Sequence, residues 1–406
     1  MLLYVLKQKT KQIFNYQISG PQIYLATLAI YLVFAFLQNT TFEDYIGGHF
    51  YNIISYLTFG VLILKIVFYD HYHLIANLFI ISGFLFSIIV WRNSGANLIL
   101  VMIAFILAAK NVSFDDIVKT YFNVNFWLLV VVIACSLLGV INNLSFVAQG
   151  RGTRYALGVI YPTDFAARIL YLMLADAYLN FGNLNTTRYL VYVLIALACK
   201  QVTDARLNFY CMLLLIIVSA IAQVAEQNYQ LQQHDWTNSI VYTYWTFTPI
   251  LSAIAIFGTY FYDPTNNIYS KIDGMLSGRL TFGSMALQRY SVNLFGTKIK
   301  EHGYGNNMKL FHQGINSYFF IDSSYMRLLI IFGLVALVVF IGISMFISIK
   351  NTLYGYYALP TILLIVAFSS VVEQHFMELT YNPFLLAFIS TILLNRENIR
   401  EEAKHS

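Results

Sequence analysis

The run SYMRLLIIFGLVALVVFIGISMFISI, residues 324–349, is 26 residues long and carries a single charge, Arg327, near its start. A bilayer core about 30 Å thick is crossed by roughly 20 helical residues, so this stretch spans with length to spare. Membrane strands are about ten residues long and alternate in polarity, which excludes a barrel. Working outward, comparable runs recur near 22–38, 51–69, 74–91, 96–110, 125–141, 163–180, 188–200, 207–225, 245–262, 356–372 and 383–395. The expected architecture is an all-α polytopic membrane protein of about 12 transmembrane helices. Residues 1–406 form one integral membrane domain, and a long, partly helical outer loop near 263–323 caps it.

Composition agrees. Of 406 residues, 59% are hydrophobic and 11% charged, against about 25% charged in a soluble domain, and the mean hydropathy is +0.65. A net charge of +5, spread over many loops, is too mild to attract nucleic acid. Cys135, Cys199 and Cys211 sit in or beside apolar runs and read as small core residues, not as a disulfide framework. The N-terminus has no small-residue cleavage site behind a compact apolar core, so an uncleaved first helix is expected. No P-loop, dinucleotide glycine pattern or Cys/His metal spacing occurs. Neither a cofactor, a metal nor a nucleotide-driven pump is expected.

Lys and Arg in short loops are retained in the cytoplasm. With twelve spans and the N-terminus inside, eleven fall there: Lys7, Lys9, Lys11, Lys65, Lys110, Lys119, Arg188, Lys350, Arg396, Arg400 and Lys404. Six fall in short outer segments: Arg92, Arg151, Arg154, Arg168, Lys200 and Arg206. Both termini are therefore expected in the cytoplasm. Arg151, Arg154, Arg206, Arg279, Arg289, Asp322, Glu373 and His375 all fall on the outer side.

Gln149-Gly-Arg-Gly-Thr-Arg-Tyr-Ala-Leu-Gly158 puts two arginines and three glycines just before a span. In a helical turn Arg151 and Arg154 share a face, and their planar forks suit phosphate oxygens. Anchoring to lipid head groups is the alternative. Asp164 and Arg168 are four apart and can pair with each other. Asp204 and Arg206 lie at a bilayer boundary, where an arginine usually faces a cavity or a partner; a contact between the two is the plainer reading. Lys65 and Asp176 read as structural. The outer loop, with Ser277-Gly-Arg-Leu280 and Ala286-Leu-Gln-Arg-Tyr290, is too apolar and aromatic for a linker, and short helices over a cavity are expected. Ser369-Ser-Val-Val-Glu-Gln-His-Phe-Met-Glu378 brings Glu373, His375 and Glu378 to the mouth of the last two spans, where partial desolvation prepares a general base. Glu43 and Asp44 form an adjacent acidic pair in the first outer loop.

In order along the chain, these features resemble the Wzy-type polysaccharide polymerases, which are related to the O-antigen ligases. The likeness rests on Arg154-Tyr-Ala-Leu-Gly-Val-Ile-Tyr-Pro-Thr-Asp-Phe165, Thr203-Asp-Ala-Arg206, Ser277-Gly-Arg-Leu280 with Asn293-Leu-Phe-Gly296, and Ile321-Asp-Ser-Ser-Tyr-Met-Arg327. It runs from about residue 150 to 385. Thr163 stands where the family commonly has an asparagine, and Asp204 where a serine often precedes the arginine. The resemblance implies a bacterial cytoplasmic-membrane enzyme of capsule, exopolysaccharide or O-antigen biosynthesis. It would transfer a polyprenyl-pyrophosphate-linked oligosaccharide onto another on the outer face, alongside a flippase and a chain-length regulator. Inverting, metal-independent transfer needs preorganised cations for the pyrophosphate leaving group. Arg151, Arg154, Arg206, Arg289 and Asp322 are the candidate binding set, with Arg279, Glu373 and His375 catalytic and Glu373 or His375 as base. A lipid-oligosaccharide flippase is the rival from another class, though no internal repeat of the transporter kind is visible. A ligase is not separable from a polymerase by these motifs.

Overall fold

The computed structural model describes residues 19–147, 152–233, 235–303 and 319–391. Lys7, Lys9, Lys11, Arg151, Arg396, Arg400 and Lys404 lie outside the described residues. Among those described, α1 (Gly20–Gln38), α2 (Glu43–Ile46), α3 (Gly48–Tyr69), α4 (Leu74–Ser94), α5 (Leu98–Ala108) and α6 (Phe114–Leu137) form the first group. A small hairpin of β1 (Ser145–Val147) and β2 (Thr153–Tyr155) follows, pairing Phe146 with Arg154. Then come α7 (Pro162–Leu179), α8 (Thr186–Thr203), α9 (Arg206–Gln230), α10 (Trp236–Val241), α11 (Phe247–Tyr260), α12 (Asn267–Met275), α13 (Arg279–Arg289), α14 (Ser324–Arg327), α15 (Leu334–Leu353) and α16 (Ala358–Ser370). The loop expected to hold short helices holds α12 and α13.

Seven spans among the described residues are long and apolar enough to cross a membrane: α1, α3, α4, α6, α9, the α10–α11 stretch and α15. The expected count of twelve is not reached by this measure, for physical reasons. The α5 helix has 11 residues and α16 has 13, and both are apolar all round and almost wholly buried, as interior helices are. The α7 helix carries Asp164, Arg168 and Asp176 and is mostly buried. No residue of these three helices is exposed, so they need neither the length nor the outward hydrophobicity of a span. In contrast, only 17% of the α4 span is buried. The last expected span, 383–395, is a short 3-10 helix, Phe384–Phe388, within its described part.

The opening run is itself interrupted. After α14 the chain makes a turn of π-helix, Leu328–Phe332, and Gly333 takes φ +96° before α15 begins. Gly296, at φ +87°, lies against it, and a Cβ on either would come within 2.4 Å of the facing backbone. The Thr297 amide donates to the Ile331 carbonyl at 3.0 Å, and the Leu334 amide to that of Asn293 at 3.0 Å. The segment around residues 293–297 is thus stitched by backbone bonds to the break, which satisfies polar groups a continuous helix would have paired itself.

At the end of the helices away from the outer loop, Lys65 is fully buried. Its Nζ donates to Asp70 Oδ2 at 2.7 Å and to the carbonyls of Ala108 and Lys110. The expected structural role holds, and it ties α3 to α5. Removing one partner of a buried pair costs about 3–5 kcal/mol. Lys65→Met should therefore lower the unfolding temperature in detergent sharply, and Lys65→Met combined with Asp70→Leu should recover most of the loss. An unshifted transition in the single variant contradicts this account.

Candidate active site

Several helix ends meet in one place. The α8 helix stops at Asp204, whose φ of +45° turns the chain sharply so that α9 starts at Arg206. Asp204 Oδ1 lies 3.8 Å from Arg206 Nε, so the plainer reading of that pair stands. Pro162, fixed at a helix start where its missing N–H costs nothing, begins α7 and sets Asp164 in its first turn. Arg154, in a strand and not in the helical turn expected, donates through Nε to the Thr203 carbonyl at 2.7 Å. Its guanidinium lies 5.7 Å from the Tyr161 ring centre.

Arg279 is the first residue of α13. Asp273 accepts from the amides of Leu280, at 2.8 Å, and Thr281, at 3.2 Å, and from the Thr281 hydroxyl at 2.6 Å. That cap fixes where the arginine starts. Arg279 Nη2 lies 3.1 Å from Asp322 Oδ2, and Nε donates to the Val372 carbonyl at 3.4 Å. Glu373 follows α16; Ser324 donates to its carbonyl through both amide and hydroxyl, and Asn208 Nδ2 donates to Oε1 at 3.3 Å.

These residues enclose a cavity of about 590 Å³, lined among others by Arg154, Tyr161, Arg206, Asn208, Arg279 and Glu373. Its size is that of an ordinary small-molecule site. Behind Glu373 lies His375, 1% exposed. Its Nε2 is 3.6 Å from both Asp164 Oδ1 and Glu373 Oε2, its Nδ1 is 3.3 Å from Glu378 Oε2, and its ring stacks on Tyr381 at 3.7 Å. Burial pushes the Glu373 carboxyl up to about 7, against the pull of His375 and Arg279. For His375 burial acts downward, but the surrounding carboxylates, Glu378 and Asp164 foremost, outweigh it and raise the imidazole to about 10. Asp322 is raised by burial to about 6 although Arg279 opposes it.

Of the residues expected from sequence, Arg154, Arg206, Arg279 and Glu373 line one cavity, Asp322 reaches it through Arg279, and His375 stands behind its wall. Arg289 does not join them: it is exposed at the end of α13, 5.0 Å from the Phe319 ring centre. The Glu43 and Asp44 pair is not among the lining residues, and Glu43 accepts from Gln38. Asp164 does not pair with Arg168 but faces His375. Arg168, 2% exposed, lies between the rings of Phe36 and Tyr381, and its guanidinium makes no hydrogen bond among the described residues. Glu378, expected beside Glu373 and His375, stands at His375 Nδ1, whereas Asn208 and Asp273 were not foreseen. Those two carry no local signal, since their roles arise only when distant helix ends are packed together. The three cysteines are free, as expected.

The apolar helices around this polar cavity define an all-α membrane protein. No family model matches the chain, and no curated protein or solved structure matches it.

Losing a helix cap costs about 0.5–2 kcal/mol. Asp273→Ala should therefore speed amide hydrogen exchange over 279–289 several-fold while leaving α9 unchanged, and Asp273→Asn, which keeps one acceptor oxygen, should lie between it and wild type. Uniform exchange in all three would refute the capping role.

Proposed function

We propose that the protein is a polysaccharide polymerase of the cytoplasmic membrane of a bacterium, with both termini inside and the cavity facing outward. It transfers a polyprenyl-pyrophosphate-linked oligosaccharide onto another such molecule. The observation that carries this reading is the convergence of Arg154, Arg206 and Arg279 with the Glu373 carboxylate on one cavity.

A pyrophosphate leaving group gains negative charge as the glycosidic bond breaks, and fixed donors in a partly desolvated site stabilise that charge without reorganising. Arginines are suited to it because they stay charged and bind phosphate oxygens in pairs. Here they, not a metal, face the leaving group. The acceptor hydroxyl attacks the anomeric carbon directly, with inversion, and gives its proton to a carboxylate. Glu373 fits this role better than His375, since Glu373 lines the cavity whereas His375 is enclosed by three carboxylates behind it. Tyr161, Tyr210 and Phe282 also line the cavity and offer faces to sugar rings.

The test is the glycolipid profile of cells lacking the protein, complemented at equal membrane abundance. Single-repeat lipid-linked glycan should build up on the outer face and long polymer should vanish, with neither Arg279→Ala nor Glu373→Gln rescuing. Loss of a general base costs roughly 10²- to 10⁴-fold in rate, and Arg279→Lys should fail as well because the paired geometry is gone. Build-up on the cytoplasmic face would mean a flippase. Full-length polymer left on its lipid would mean a ligase.

A further inference from the structure

Asp164 opens α7, whereas Glu373 and His375 belong to the turn after α16, so no sequence spacing announces them as a set. In the fold, one possible ligand atom from each lies within 4.8 Å of those of the other two. The imidazole Nε2 has no hydrogen-bond partner among the described residues, although its ring is buried. Its 3.6 Å separations from the two carboxylate oxygens exceed an N–H···O bond, normally about 2.7–3.2 Å. They do match two ligands of one cation, each about 2.1 Å from it, which stand roughly 3–4 Å apart. On the other side of the ring, Nδ1 faces Glu378 Oε2, the outer carboxylate that ligating histidines commonly have.

Charge balance points the same way. Asp164, Glu373 and Glu378 converge on one imidazole, while Arg279 is engaged with Asp322 and Arg168 lies across the Tyr381 ring, 4.6 Å from its centre. A proton on His375 leaves an excess of two negative charges among the three carboxylates and the imidazole; a dication beside a neutral imidazole leaves one. We propose that Asp164 Oδ1, Glu373 Oε2 and His375 Nε2 form a binding site for one divalent cation, with Glu378 orienting His375 from behind. One imidazole and two carboxylates suit Mn²⁺ or Zn²⁺. The site shares Glu373 with the arginine-lined cavity, so a bound ion and the acceptor proton compete for that carboxylate, and it clamps the 371–378 turn onto the start of α7. It stands on geometry independent of the polymerase reading.

The full chain, purified in detergent and stripped with a chelator, is titrated with Mn²⁺ by loss of the free-ion electron paramagnetic resonance signal and with Zn²⁺ by calorimetry. One saturable equivalent per chain is expected, with the two ions competing and each raising the unfolding temperature. D164N and H375Q should each weaken binding at least tenfold and erase the thermal shift. E378Q, which touches no ion, should weaken it by about 10- to 100-fold. Should a variant fail to elute as a folded species, the wild-type titration decides alone. Absence of saturable binding overturns the proposal and leaves an imidazolium at the centre. Undiminished binding in folded D164N and H375Q also overturns it. Neither readout needs sugar transfer, so failure here is distinct from failure of the polymerase reading.

Discussion

Ser324 receives the backbone of Glu373 twice, donating to its carbonyl from both amide and hydroxyl, while its own hydroxyl accepts from the Phe376 amide. This clasp joins the first residue of α14 to the turn after α16. Backbone groups freed at a helix end must find partners or lose several kcal/mol in an apolar setting. Once they find them in Ser324, the position of everything nearby is set. Asp322 is two residues away and holds Arg279; Glu373 faces Asn208 at the start of α9; His375 falls against Asp164 at the start of α7. The cavity is therefore a by-product of how helix ends are satisfied.

The same rule sorts charge to the two ends of the helices. One end carries Lys65 with Asp70, and Asp176 with Arg188 and Tyr192, each closed upon itself. The other carries arginines that reach a common space. Closed pairs hold the helices together and are tolerated because every donor has an acceptor. Two of those arginines, Arg206 and Arg279, already face the carboxylates of Asp204 and Asp322, and an anionic substrate would compete with those carboxylates for them.

Much of this was legible in the sequence, and the limits have physical causes. Apolar runs mark helices by length alone, so nearly every expected segment corresponds to an observed helix. Run length does not say whether a helix meets lipid or other helices, which is why α5, α7 and α16 read as ordinary spans. Arg154, Arg206, Arg279 and Glu373 were readable because an arginine or glutamate beside a membrane span demands a reason. Asp164 was readable only as a partner for Arg168, its neighbour along the helix, since the competing partner lies some two hundred residues away. The break at Gly333 was hidden because glycine is common in membrane helices, and nothing nearby tells a passive glycine from one that Gly296 will press against.

The outer loop returns on itself before it rejoins the helices. His302 and Phe319 exchange backbone hydrogen bonds, and Glu301 accepts from both the Ile321 amide and the Arg327 guanidinium. This neck separates the chain on either side of it mechanically. The residue before Asp322 is pinned there by Glu301, which helps to place the carboxylate that holds Arg279.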